Sequence, residues 1–432
     1  MARHSISPTR LHFTTVNLLH QPHSTTQHNT PQHPQPAEQT SQTIMENHES
    51  NSNVKLTASC LCKNHHFTTN VPSSTLPLQA WTCHCTSCRH TSGALYTHDA
   101  LWPGPTSDVT RSDLSVYQMT KNVALLFCGK CSTPMFWWER FEGQEECLDV
   151  LIGALEAEGC EGGEVVRTVR NAYVGDTGDG GAAPWLRSLA EVQEDIPTWR
   201  GKANESELLD PDWHMTPVQG KVEDPDEIPI VCHCRGVNLI LRRGDADFAN
   251  MKREDLPFFV DPSDHKLLAS FDACGSCRKS FGVNVMNWTF TLLKHIAFAD
   301  GTPVPTTTPQ LKDACSAKDR DERFGTLAYY KSSPDVQRYF CSRCSASVFY
   351  AVDDRPDMVD LAIGLLDSPD GARAESRLAW ALGPPVTWRK EAKGQWREEF
   401  VAKLEENTEA WRVRTGREKI WLRADRERAA GS

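Results

Sequence analysis

Among the 432 residues no apolar run approaches the roughly 18–20 needed to cross a bilayer, which excludes a membrane-spanning helix. An excess of basic charge is missing too. Lys and Arg number 46 against 57 Asp and Glu, a formal charge of −11. That balance opposes a general affinity for phosphate backbones or anionic membrane and leaves only a local basic face for such contacts. The opening residues lack the apolar core of a secretory signal. The expected compartment is therefore the cytoplasm, with nucleus and mitochondrion left open. What the chain has in plenty is cysteine, 16 in all. In a reducing compartment clustered cysteines are metal ligands or redox thiols more often than disulfides, so their spacing carries the argument.

The chain divides by composition. Residues 1–50 are polar and hold seven of the 16 His, with no acidic residue before Glu38; this tail cannot bury enough surface to fold and is expected to be disordered. From residue 51 short apolar runs alternate with turn residues. Ala124 to Phe127, Met135 to Trp138 and Leu148 to Leu151 predict strands. Between Glu205 and Glu227 lie eight acidic residues, one Lys and three Pro, which predicts a solvated linker over 201–227. A second strand-rich region runs over 228–390. At the end, Trp396, Phe400, Leu404 and Trp411 sit at spacings of four, four and seven, which predicts an amphipathic helix within 391–432 that packs on the second region.

The two strand-rich regions, 51–200 and 228–390, carry the same punctuation. The first has Cys60-x-Cys62, Cys83-x-Cys85-x-x-Cys88 and Cys128-x-x-Cys131; the second has Cys232-x-Cys234, Asp272-x-Cys274-x-x-Cys277 and Cys341-x-x-Cys344. Ser132, Phe136 and Trp137 answer to Ser345, Phe349 and Tyr350 at one constant offset. Asp149 to Gly153 (D-V-L-I-G) answers to Asp360 to Gly364 (D-L-A-I-G) at nearly the same one. Matches at near-constant offset are what duplication leaves. Thirteen of the 16 cysteines fall in this pattern, while Cys147, Cys160 and Cys315 lie outside it as ordinary thiols.

Two cysteines on one turn can point both sulfurs at one ion, and two such pairs close a tetrahedral Zn²⁺ shell. The outer pairs are the natural partners: Cys60, Cys62, Cys128 and Cys131, and Cys232, Cys234, Cys341 and Cys344. Four thiolates leave no open position, so both sites are expected to be structural. Cys83, Cys85 and Cys88 offer three thiolates, the open arrangement of a catalytic metal, with a dithiol redox site or a fourth protein ligand as the alternatives. His84 lies inside the motif, but its neighbours' sulfurs are expected to converge away from it; His65 and His66 read as surface residues. In the second region Asp272, Cys274 and Cys277 would make a weaker open site. The alternative is that Asp272 is an Asx-type turn residue and the fourth metal is absent.

With C-x-C, C-x-C-x-x-C and C-x-x-C in that order, the chain resembles the glutathione-dependent formaldehyde-activating enzyme family, which includes centromere protein V. Arg89 to Gly93 and the Gly153-Ala154-Leu155 turn support the likeness, which covers roughly 55–190 and 228–390. It implies a mainly β fold of two tandem zinc-ribbon-related β-tent domains, each with a structural four-Cys and a catalytic three-Cys zinc site. The implied reaction is carbon–sulfur lyase chemistry on thiol–aldehyde adducts such as S-hydroxymethylglutathione. Carried over, Cys83, Cys85 and Cys88 would hold the catalytic ion, and the partner would be a small glutathione adduct rather than a membrane or nucleic acid. Asp272 departs from this pattern, and so does Asn171, where the family's His is expected before Tyr173-Val174. Two other functions fit the same residues: a zinc-scaffolded binding module, and a thiol redox sensor at Cys83, Cys85 and Cys88.

Overall fold

Short β-branched and aromatic runs bury one face each, and the sheet is the arrangement that lets them do so. The computed structural model describes residues 52–160, 163–189, 195–210, 213 and 225–431. The expected tail 1–50 lies outside them, as do residues 211–212 and 214–224 of the acidic linker. The first half supplies β1 (Asn53–Ser59), β2 (His66–Pro72), β3 (Leu78–Cys83), β4 (Thr97–Leu101) and β5 (Ser115–Gln118). It continues with β6 (Val123–Phe127), β7 (Pro134–Glu139), β8 (Cys147–Leu151), β9 (Leu155–Glu158) and β10 (Val166–Ala172). The second half supplies β11 (Glu227–Val231), β12 (Asn238–Arg242), β13 (Leu267–Asp272), β14 (Met286–Leu292) and β15 (Ile296–Phe298). Then come β16 (Leu327–Ser333), β17 (Val336–Cys341), β18 (Ser347–Val352), β19 (Met358–Ala362) and β20 (Leu378–Trp380). Helices are fewer: α1 (Thr86–Ser92), α2 (Thr106–Thr110), α3 (Asp245–Phe248), α4 (Gly275–Phe281), α5 (Thr308–Ser316), α6 (Glu398–Arg414) and α7 (Trp421–Gly431). Among the described residues no helix is long and apolar enough to cross a membrane.

Each half has one large sheet. The first runs β10–β3–β4–β8–β7–β6–β5, and the second, β20–β13–β14–β19–β18–β17–β16, repeats that order strand for strand. Both keep a single parallel pair at the same edge, β10 with β3 and β20 with β13. The small sheets differ. β9 pairs with β1 in the first, whereas an isolated Ile230–Leu366 bridge stands at that place in the second, and β15 adds to β12 instead.

From Ser52 onward the described residues form one compact unit, and its halves interlock. Ser132 Oγ donates to the Ser345 carbonyl, and Ser345 Oγ returns the bond to the Ser132 carbonyl at 2.7 Å. Gly153 N–H donates to the Gly282 carbonyl and Gly364 N–H to the Gly93 carbonyl, each at 2.9 Å. A side chain at Gly153 would collide with the Gly282 backbone, and one at Gly364 with the backbone of Gly93 and Ala94, so only glycine permits these approaches. Ala94, Leu95, Tyr96 and Trp185 of the first half belong to the core cluster of the second. Tyr117 packs on the second core and Tyr330 on the first. The exchange is reciprocal, as in a dimer folded from one chain.

α6 buries Phe400, Leu404 and Trp411 as the spacing predicts, while Trp396 precedes the helix. The expectation that it packs on the second region is too narrow. Asn407 Nδ2 donates to the Trp185 and Ser188 carbonyls at 3.0 and 2.8 Å, and Phe400 stacks on His98 at 6.0 Å, all in the first half. Glu405 meanwhile accepts from the Val386 N–H at 2.7 Å. Periodicity names the buried face of a helix but not what it is buried against.

Candidate metal centres

The outer pairs converge as expected. Cys60 and Cys62 sulfurs lie 3.6 Å apart, as do Cys62 and Cys128, and all four of the first set lie within 4.8 Å of one another. In the second set Cys232–Cys234 is 3.6 Å and Cys234–Cys341 is 3.4 Å. Thiolates about 2.3 Å from a shared tetrahedral ion would be about 3.8 Å apart, so both quartets fit Zn²⁺. Turn geometry aims them. Lys63 N–H bonds the Cys60 carbonyl at 3.1 Å and Arg235 N–H the Cys232 carbonyl at 2.9 Å, with both residues at positive φ. Backbone donors then reach the sulfurs: His65 N–H to Cys60 Sγ at 3.3 Å and Val237 N–H to Cys232 Sγ at 3.2 Å. His65 is therefore buried rather than at the surface, because it closes the turn where Val237 closes the other. The crowding is electrostatic as well as steric. Hydrogen bonds from Cys128 and Cys60 pull Cys131 far below the usual thiol range, while Cys131 and Cys60 push Cys128 far above it. A divalent cation held there would resolve that competition.

Cys83, Cys85 and Cys88 also converge, with all three sulfurs within 4.8 Å of one another. β3 ends at Cys83, Cys85 caps α1 by accepting the Cys88 N–H at 3.3 Å, and Cys88 lies in the first turn. Bonds from Cys83 and Cys88 pull Cys85 well down, while Cys85, Cys88 and burial push Cys83 well up. The donor set fits a cation held by three sulfurs. His84 points elsewhere: its Nε2 faces Asn171 Oδ1 at 3.2 Å, and burial drives its pKa down to about 4. Asn171 accepts from Thr82 Oγ1 and donates to the Leu186 carbonyl at 3.3 Å, so it ties β10 to β3 and to the following loop.

Two groups near the three sulfurs escaped sequence reasoning. Burial, then Cys83 and Cys85, push the Tyr173 hydroxyl up to about 12. Burial, then Cys85, raise the Asp176 carboxyl, which accepts the Thr86 N–H. Both follow β10, whose parallel pairing with β3 sets Ala172 beside Cys83. Only that long-range pairing brings them to the site, and no local spacing could signal it. The remaining calls stand apart. Cys147 donates to Asp149 Oδ1 at 3.5 Å, and Cys315 is buried.

In the second half Asp272, Cys274 and Cys277 also place their ligand atoms within 4.8 Å of one another. Asp272 Oδ1 accepts the Cys274 N–H at 2.7 Å, an Asx-type turn. Burial raises the Asp272 carboxyl to about 7. Neither a curated protein nor a solved structure matches the chain. Residues 55–170, which contain all seven patterned cysteines of the first half, match the family model described as glutathione-dependent formaldehyde-activating enzyme.

Proposed function

We propose that the chain is a zinc-dependent carbon–sulfur lyase acting on thiol–aldehyde adducts such as S-hydroxymethylglutathione. The observation that carries this reading is the convergence of Cys83, Cys85 and Cys88 inside the stretch that matches the family. Those three sulfurs would hold the ion, while Cys60, Cys62, Cys128 and Cys131, and Cys232, Cys234, Cys341 and Cys344, would hold structural ions. Bound zinc with one open position supplies Lewis acidity toward a carbonyl or hemithioacetal oxygen. The chain's own residues do the rest. Tyr173 and Asp176 stand near the sulfurs as groups that could exchange a proton with the reacting oxygen, both raised by burial and by the neighbouring cysteines. Asn171 holds the edge of β10 in place. The second region, 228–390, is a diverged copy that completes the interface, with 201–227 as connection and 391–432 as a clamp across both.

The test is adduct turnover by the full chain beside native mass spectrometry. Cys85→Ser is expected to lose one zinc ion and abolish acceleration of S-hydroxymethylglutathione formation or cleavage. Thiol and formaldehyde combine unaided, so the uncatalysed rate is the baseline. A wild-type rate no higher than that baseline, or an unchanged rate in Cys85→Ser, overturns the lyase reading.

A further inference from the structure

Among the differences between the two inner centres, two bear on a metal. Asp272 stands where the first half has Cys83, and Arg338 stands where it has Leu125. The register confirms the second correspondence: Leu125 pairs with Trp137 on β7, and Arg338 with Tyr350 on β18. Leu125 brings no charge to its centre. Arg338 is 6% exposed and sets Nη1 and Nη2 3.7 and 3.6 Å from Cys277 Sγ. Its other bonds go to hydroxyls: Nη2 to Ser276 Oγ at 2.8 Å, Nη1 to Ser280 Oγ at 3.2 Å and Nε to Ser332 Oγ at 3.1 Å. Ser276 Oγ in turn lies 3.1 Å from Cys274 Sγ. Among the described residues no carboxylate bonds this guanidinium, and a buried cation needs a counter-charge. Asp272 and Asp360 act on it only through space, and the sulfur beside it is the group it touches.

We propose that the Asp272–Cys274–Cys277 centre is a metal-free dithiol in which the Arg338 guanidinium takes the place of the metal, and that its chemistry is exchange with small disulfides. Three features make it a poor zinc site. Only two sulfurs remain, one of the two Asp272 oxygens is engaged by the Cys274 N–H, and a fixed positive charge touches Cys277. The same features suit a thiolate next to a second thiol. The Cys274 thiolate attacks one sulfur of a small disulfide; the S–S bond breaks and one thiolate leaves. Cys277 then attacks the mixed disulfide at the Cys274 sulfur, which closes the Cys274–Cys277 bond and expels the second thiolate. The dithiol is oxidised by two electrons and the small disulfide is reduced to two thiols; Cys277 gives one of their protons, and solvent returns the one that Cys274 had lost. The sulfurs already lie within 4.8 Å, and a side-chain rotation brings them to bonding distance.

The experiment uses the full chain, counted for zinc by native mass spectrometry and then treated with oxidised glutathione. Cys274→Ser is expected to leave the zinc count unchanged, whereas Cys85→Ser lowers it by one. Asp272→Cys combined with Arg338→Leu, which copies the first centre, is expected to gain one ion. Oxidised glutathione is expected to link Cys274 to Cys277 in peptide maps with no zinc released. Loss of an ion in Cys274→Ser overturns the proposal, and so does a pair that stays reduced under oxidised glutathione. Absence of lyase turnover would leave all these readouts standing, so the two readings fail separately.

Discussion

The halves agree where the ion would be enclosed and diverge where it would be open. Both keep four cysteines on two tight turns and the same seven-strand order. One inner centre has three sulfurs, whereas the other has two sulfurs, a carboxyl engaged in a turn and an arginine. The difference separates two jobs of cysteine. On the proposed reading a closed quartet would organise the strands around it, and losing it would remove the fold. An open site would serve chemistry, and the fold would tolerate its replacement.

The largest expected effect tests the likeness. Structural Zn²⁺ contributes apparent binding energy of about 10 kcal/mol or more, comparable with the whole stability of a domain. Cys131→Ser and Cys344→Ser should therefore both abolish cooperative thermal unfolding followed by near-ultraviolet circular dichroism, and a chelator should do the same to the unmodified chain. Because Tyr117 and Tyr330 each pack on the other half's core, neither half is expected to survive alone. A variant in which one half keeps a cooperative transition would break the picture of an interlocked pair.

A smaller effect tests the seam. Alanine at Gly153 or Gly364 puts a methyl group against facing backbone. Overpacking of this kind costs roughly 2–3 kcal/mol, and the reciprocal geometry predicts similar losses at both sites. Urea midpoints at constant slope measure it. Unequal losses would mean that one half bears more of the interface than the other.

The quartets were legible in the sequence because turn-borne pairs declare themselves by spacing alone. Cys83, Cys85 and Cys88 were legible for the same reason, and so were the strands around Phe136 and Leu148. The interlock was not. Gly153 and Gly364 looked like part of a repeated motif, but what makes them necessary is the backbone of the opposite half, and no local pattern encodes that. Arg338 was invisible as a site residue for a similar reason: it lies 61 positions from Cys277, and only the pairing of β17 within its sheet carries it there. His65 was misjudged because exposure was inferred from residue type, when its place as the closing residue of a cysteine turn decides its burial.

The smallest effect concerns charge at the seam, where the halves again differ. Glu156 of the first half meets Arg278 at 2.8 Å, Lys279 at 3.3 Å and Arg397 at 3.4 Å. Burial alone would raise its carboxyl, but Arg278, Arg397 and Lys279 outweigh that and hold it down to about 2. The corresponding Asp367 is exposed and acts on Arg89 only through space. A carboxyl with a depressed folded-state pKa stabilises the fold above its ordinary value near 4.5, and that contribution is lost as pH falls through 2. About a third of the Glu156 side chain, 34%, stays open to water, which screens the attraction to about 1–2 kcal/mol at neutral pH. Glu156→Gln should lower the unfolding free energy from urea titration at pH 7 by that amount, and the gap should shrink from pH 4.5 downward, because the unfolded chain's carboxyl then takes up a proton that the folded one still refuses. Asp367→Asn should change the unfolding free energy by less than about 0.5 kcal/mol. A gap for Glu156→Gln that persisted unchanged at pH 2 would mean that the residue acts through shape rather than charge.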